Sequence, residues 1–353
     1  MPAYSASLRP CLTSSCCRQK RETITGRGTR PGYAGPVHVE STTLLARARG
    51  LELSRETFRR LALASAFWLW LIVVSGATVR LTNSGLGCEH WPGCTAGNPL
   101  PSKSYHSFIE FGNRLVSALT ILATLVAWLG ARFTPGLPRW VRRLALATFL
   151  GTLAQAPLGA LTVYAGLNPW LVMSHFLLAL AVLAAGVVVA VEAFSFDRGH
   201  SDQRLPRTLR RGAFVGASAL LALILSGMVS TAAGPHPGSA DVDRLWRLHA
   251  AVYVHVRATA IFGVLFLSFF VYIVRKRERW PLYAEGAGAF LFLLLLQMGV
   301  GELQYRTHLP WWLVLVHVGL AASVWACAVA LVAAIERPPK PFAPRPDPLT
   351  LLR

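Results

Sequence analysis

The sequence predicts an all-α polytopic membrane protein, eight transmembrane helices arranged as two pseudo-symmetric four-helix bundles. Three observations carry that expectation. The 353-residue chain is 54% hydrophobic and only 14% charged, whereas soluble domains carry about 25% charged residues. Apolar runs long enough to cross a bilayer, about 20 residues each, recur along it. The second half of the chain also repeats residue spacings found in the first.

The runs fall at 61–79, 107–131, 144–163, 170–191, 212–230, 248–274, 284–302 and 311–335. They lack the alternation of barrel strands, and backbone groups in lipid must be satisfied within the segment, so each is read as a helix. The first bundle is expected at 58–195 and the second at 196–336, with a tail at 337–353. Residues 1–57 form an Arg-, Ser- and Gly-rich tract holding Cys11, Cys16 and Cys17. Its lack of apolar runs predicts disorder; its composition is similar to a transit peptide, and an overlong gene start would look the same.

Charge gives the orientation. The formal net charge is +19, which in a soluble chain would suggest nucleic acid, but its distribution points to topology instead. Segments 1–60, 131–143, 194–211, 274–283 and 336–353 hold 28 of the 35 basic residues, and the alternate loops hold five: Arg80, Lys103, Arg244, Arg247 and Arg306. Arg114 and Arg257 lie inside spans. By the positive-inside rule both termini are cytoplasmic, and the loop Gly85–Cys94, "GLGCEHWPGC", faces outward.

In that compartment Cys88 and Cys94 favour a disulfide. Closing so short a loop would constrain the unfolded chain by about 2 kcal/mol. Zinc is the weaker alternative, since it would need Glu89, His90 or other ligands besides the two thiolates. No Cys-x-x-Cys-His occurs for covalent heme attachment. Cys327, inside the last span, reads as packing.

The repeat is most regular in "QAPLGALTVYAGLNPWLVMSH" (Gln155–His175) and "QMGVGELQYRTHLPWWLVLVH" (Gln297–His317). Gln to Gly is four residues and Gly to His sixteen in both, with Pro-Trp opening the next span. "IEFGNRLVSAL" aligns with "LWRLHAAVYVH", which sets Asn113 opposite His249, and "VSGATV" (Val74–Val79) weakly echoes "LSGMVS" (Leu225–Ser230).

His175, His249, His317 and Asn113 therefore stand at equivalent depths, about 8–9 Å inside the outer ends of the even-numbered spans. A lone intramembrane histidine is usually a hydrogen-bonded packing residue; three at repeat positions point to ligands, because facing imidazoles are how a bundle holds heme iron. His249 and His317 form the complete pair, and His175 faces Asn113, a poor iron ligand. Glu110 precedes Asn113 by three residues on the same face. It reads either as a charge favoured at a helix N-terminus or, by its depth, as a carboxylate able to move protons beside the first-half heme. Arg114 and Arg257 are candidates for heme propionates, or else snorkel. His255 reads as packing, His106, His236 and His308 as interfacial, and Trp170, Trp311 and Trp312 as interface anchors.

"VSGATVRLTNSGLGCEHWPGC", "IEFGNRL" and the three histidines together resemble the heme A synthase family, over about residues 60–335. The resemblance implies two four-helix bundles, heme b held by His249 and His317, and substrate heme O at His175. It implies oxidation of the C8 methyl of heme O to a formyl group by two successive hydroxylations, giving heme A for cytochrome c oxidase. Glu110 would be the catalytic carboxylate and Cys88–Cys94 the outer-loop disulfide. One position departs: the family's Glu-x-x-His-Arg reads Glu110-Phe-Gly-Asn113-Arg114 here. The expected location is a bacterial plasma membrane, with the mitochondrial inner membrane second. The family context suggests the heme O synthase as a partner, with no residue here carrying it, and the electron donor and oligomeric state are unspecified. The rival reading is a diheme b-type electron-transfer cytochrome without substrate chemistry; a polytopic transporter leaves the histidines unexplained.

Overall fold

A computed structural model describes residues 52–340, apart from 89, 91–92, 96, 98–99, 102, 202–204, 240–241 and 243. The expected disordered tract, but for 52–57, and most of the tail lie outside the described residues. Eight helices make up the fold: α1 Arg55–Leu81, α2 Tyr105–Phe133, α3 Arg139–Tyr164, α4 Pro169–Arg198, α5 Arg207–Ala232, α6 Leu248–Val274, α7 Pro281–Arg306 and α8 Trp311–Glu336. All are long and apolar enough to cross a membrane, so the chain is a multi-pass membrane protein. At 1.5 Å per residue the shortest, 26 residues, spans about 39 Å, more than the hydrocarbon core requires.

Most helices outrun their apolar runs by a few residues, α6 alone matching its run at both ends, because caps rather than hydropathy end a helix. Ser54 Oγ accepts from Thr57 N at 3.1 Å and caps α1. Asn168 accepts from Trp170 N at 3.0 Å and caps α4, with Pro169 in the first turn, where its missing N–H costs nothing. Two shifts matter. The first span was expected to end at 79, but α1 continues to Leu81 and takes Arg80 into its last turn. The break between halves falls at 199–206 rather than at 195–196, because α4 runs on to Arg198.

In the first half α1 packs on α2, α2 on α3, α3 on α4 and α4 on α1; α5 to α8 close the same ring in the second. The α3–α4 and α7–α8 turns each use two consecutive left-handed residues, Gly166–Leu167 and His308–Leu309. Leu167 is held in that conformation by burial: its side chain fills the space left by Gly85 and Gly238, whose backbones are joined by Gly85 N donating to Gly238 O at 3.1 Å. The halves meet where α8 packs against α1 and α4. The largest hydrophobic cluster lies at this seam, around Leu69, Val73, Leu183, Ala322 and Trp325, with the free Cys327 packed against it. Trp70 Nε1 donates to Ser323 Oγ at 3.0 Å and Trp325 Nε1 to Leu180 O at 2.9 Å.

At the end away from the cysteine loop, buried Glu192 takes Arg337 Nε and His200 Nε2, each at 3.1 Å, and Arg59 pairs with Asp197 at 2.6 Å. These pairs tie the α4 end to the segments beside it.

Candidate heme-binding site

The loop after α1 and the start of α2 form one polar unit. Cys88 and Cys94 are joined in a disulfide, with their Cα atoms 4.4 Å apart, so neither sulfur is left as a zinc ligand. Glu110 is 5% exposed and its carboxylate is held at both oxygens. Oε2 accepts from Cys88 N at 2.8 Å, and Oε1 accepts from Arg114 Nη2 at 2.6 Å. Arg114 reaches on to the loop, donating from Nη1 to His90 O at 2.9 Å and to Gly93 O. The Glu-to-Arg spacing of four residues sets this pair on one helix face. Arg114, expected at a propionate, is therefore engaged by Glu110 and the loop. His106, exposed at the start of α2, lies 2.9 Å from Ser84 Oγ through Nδ1.

Glu110, Asn113 and Arg114 from α2, Gln155 and Gly159 from α3, and His175 from α4 line one cavity of about 470 Å³. That is within the 300–1,000 Å³ usual for ligand pockets. Ser75 Oγ donates to Asn113 Oδ1 at 3.0 Å. His175 Nδ1 is buried without a hydrogen-bond partner. Its ring stands against Gly159, where a Cβ would lie 3.4 Å from Cε1. A buried imidazole nitrogen left unpaired costs free energy unless a ligand takes its lone pair or proton.

The second half repeats these contacts at His317. Gln297 Nε2 lies 3.2 Å from His317 Nε2, Nδ1 is buried and unpaired, and a Cβ on Gly301 would lie 2.9 Å from Cε1. On α6, His255 stands against Gly227, where a Cβ would lie 3.0 Å from its Cε1. His255 Nδ1 is 2.9 Å from Ser226 Oγ, which itself donates to Leu223 O at 2.6 Å. With its one proton so used, the serine accepts from Nδ1–H, and His255 Nε2 keeps the free lone pair a metal needs.

This placement removes His249 from the pair. His249 is exposed in the first turn of α6, six residues and about 9 Å along the axis from His255, and turned to another face. The residue matching Asn113 is His255: Ser75 touches the one as Ser226 touches the other. The sequence held the signal, since Asn113 to His175 and His255 to His317 are both 62 residues, whereas His249 to His317 is 68. Arg257 is exposed and lies over the Tyr253 ring, 3.2 Å from its centroid.

Glycines that make room for imidazoles, orphaned ring nitrogens and a cavity walled by one of them fit a planar iron porphyrin better than a bare ion. Among the described residues no group of three His, Cys, Asp or Glu side chains could hold a metal alone.

Comparison with known proteins agrees with that geometry. A family model described as cytochrome oxidase assembly protein matches residues 59–329. A heme A synthase of Symbiobacterium thermophilum is 29% identical over 288 residues, 76% of this chain and 92% of that one. A heme A synthase of Exiguobacterium is 28% identical over 261 residues, 69% of this chain and 82% of that one. A Thermus thermophilus protein named protoheme IX farnesyltransferase is 31% identical over 298 residues, 76% of this chain. The chain spans only 47% of that relative's length.

Proposed function

The chain belongs to the cytochrome oxidase assembly family that includes the heme A synthases, and from that premise we propose that it oxidises heme O to heme A. The bond change is at one ring methyl, C8: each of two hydroxylations replaces a C–H bond by C–OH, with an external oxidant taking two electrons and water or dioxygen giving the oxygen atom, and the resulting diol loses water to leave the formyl group. The name of the Thermus relative is not carried over, because more than half of that protein has no counterpart here.

The observation that carries the reading is the first-half cavity, lined by His175, whose Nδ1 is buried and unpaired, and by a buried, doubly held Glu110. A pure electron-transfer cytochrome needs neither a cavity nor a carboxylate. His175 would bind the iron of substrate heme O, and Asn113, an amide, leaves that iron without a strong second protein ligand. Glu110 would accept or return protons at the reacting methyl, its position fixed by Cys88 N–H and the Arg114 guanidinium. His255 and His317 would hold heme b, which supplies one-electron redox capacity when bound. The basic loops support an orientation with the disulfide end outside and both termini in the cytoplasm of a bacterial cell. Contact with the enzyme that farnesylates heme would follow from the shared substrate.

Extraction of the pigments of the purified protein tests the reading. Heme b together with heme O or heme A is expected; heme b alone would favour the electron-transfer cytochrome and overturn it.

A further inference from the structure

Arg80 is the group of the cavity wall that the reading above does not use. It sits in the last turn of α1 and lines the same cavity as His175 and Glu110. Its Nη2 donates across the seam to Thr231 O at 2.9 Å, while its Nε is buried with no partner. Among the described residues no carboxylate lies within ion-pair distance of it; Glu110 is already taken by Arg114. A buried cation without a counter-ion is costly, and removing its partner from such a pair typically costs several kcal/mol. Neighbours do not let it swing away either: its stem packs on Gly238, where a Cβ would lie 3.7 Å from Cγ.

We propose that Arg80 is the carboxylate-recognition residue of the cavity, holding a propionate of the porphyrin that occupies it. The inference rests on the reading that this cavity takes a heme. It also answers a question that reading leaves open. An iron held by His175 alone lets the macrocycle turn about the iron–nitrogen bond, and heme carries several methyl groups. A second anchor at Arg80 stops that rotation, so a single methyl is presented to Glu110. Arg80 is thus a positioning residue for the choice of methyl. An Arg suits the task because its planar fork meets a carboxylate in two parallel hydrogen bonds.

The test compares an iron porphyrin bearing two free propionates with its dimethyl ester, each titrated into protein that retains its second-half heme. The first-half component is the binding that His175→Ala removes. Wild-type protein should prefer the diacid by about ten- to a hundredfold, the range of a charge-assisted hydrogen bond. Arg80→Gln should lose that preference while binding the ester as wild type does, and Arg80→Lys should keep part of it. Equal binding of diacid and ester by the wild type overturns the proposal without any variant having to fold. A preference unchanged in Arg80→Gln, or an equal loss for both ligands as a mere seam strut would give, overturns it as well. No His175-dependent porphyrin binding at all would instead sink the heme reading itself.

Discussion

The two halves of the molecule are built on one plan and finished differently. Each has a serine one residue before a glycine on its first helix, and that serine touches the residue at the shared position on the second helix. Each has a Gln and a Gly on its third helix, set against a histidine on its fourth. The second half puts His255 at the shared position; the first half puts Asn113 there. One helical turn earlier, Glu110 stands in the first half where Val252 stands in the second, and only the first has the disulfide loop to hold a carboxylate. One scaffold thus carries two imidazoles in its second half and, in its first, one imidazole with an amide at the matching position and a buried carboxylate a turn away. Closing a heme between two imidazoles favours retention and electron transfer. Leaving it on one imidazole, beside an acid, favours reaction and release.

The contrast is broken most severely at the second-half pair. Replacing His255 or His317 by Ala should abolish the low-spin heme signal, whereas His249→Ala should leave it intact. Reduced spectra of the three purified variants decide it, and loss of the signal in His249→Ala alone would restore the pair read from the sequence. Next in size is Glu110→Gln, which keeps the shape and removes the charge. Heme O should remain bound while aldehyde formation falls by about 10²- to 10⁴-fold, measured by heme extraction and chromatography. Full conversion would strip Glu110 of its role.

Asn113→His should make the halves alike. Ser75 Oγ already lies where Ser226 Oγ lies, ready to accept from an Nδ1–H. The variant should therefore show a second low-spin heme and slower product formation. A wild type already showing two low-spin hemes would mean that a residue other than Asn113 completes the first site. The smallest effect is expected from Cys88→Ser with Cys94→Ser. Stability should fall by about 2 kcal/mol and heme b should stay bound, while activity drops further than stability, because Cys88 N–H positions Glu110. Thermal melts and turnover measured on the same preparation separate the two effects.

Much of this was legible before any coordinates. Helices in lipid leave long apolar runs, and basic residues between them give their direction, so all eight elements could be read to within a few residues at most ends. Residues at fixed distances from a landmark, such as His175 and His317 after Gln155 and Gln297, were legible too. His255 was not, because setting "IEFGNRLVSAL" against "LWRLHAAVYVH" shifts the frame by six residues in apolar sequence, where nearly any register scores alike. The Ser-Gly pair, though short, carried the truer register because each serine has a hydrogen bond to make. Arg80 was missed for another reason. Hydropathy ends a helix at its last apolar residue, and a charge just beyond reads as loop, although backbone hydrogen bonding carries α1 to Leu81. For Arg114 the signal is present, Glu and Arg four apart on one helix face, and the pair satisfies the guanidinium within the chain.

The seam between the halves bears on how such a molecule can be assembled. It joins apolar helix faces, and in lipid those faces gain nothing from avoiding water; what holds them is close packing and the indole bonds of Trp70 and Trp325. Within the bilayer each helix satisfies its own backbone, and the bonds from Gly85 N to Gly238 O and from Arg80 to Thr231 O join the halves only at the outer end. Each set of four helices can therefore enter the bilayer as an independent passenger and find its counterpart by lateral diffusion. The peptide link at 199–206 sets the local concentration of the two more than their fit. A nick in that link leaves the seam's own bonds untouched, so two fragments made separately in one membrane have the same surface to recognise as the unbroken chain.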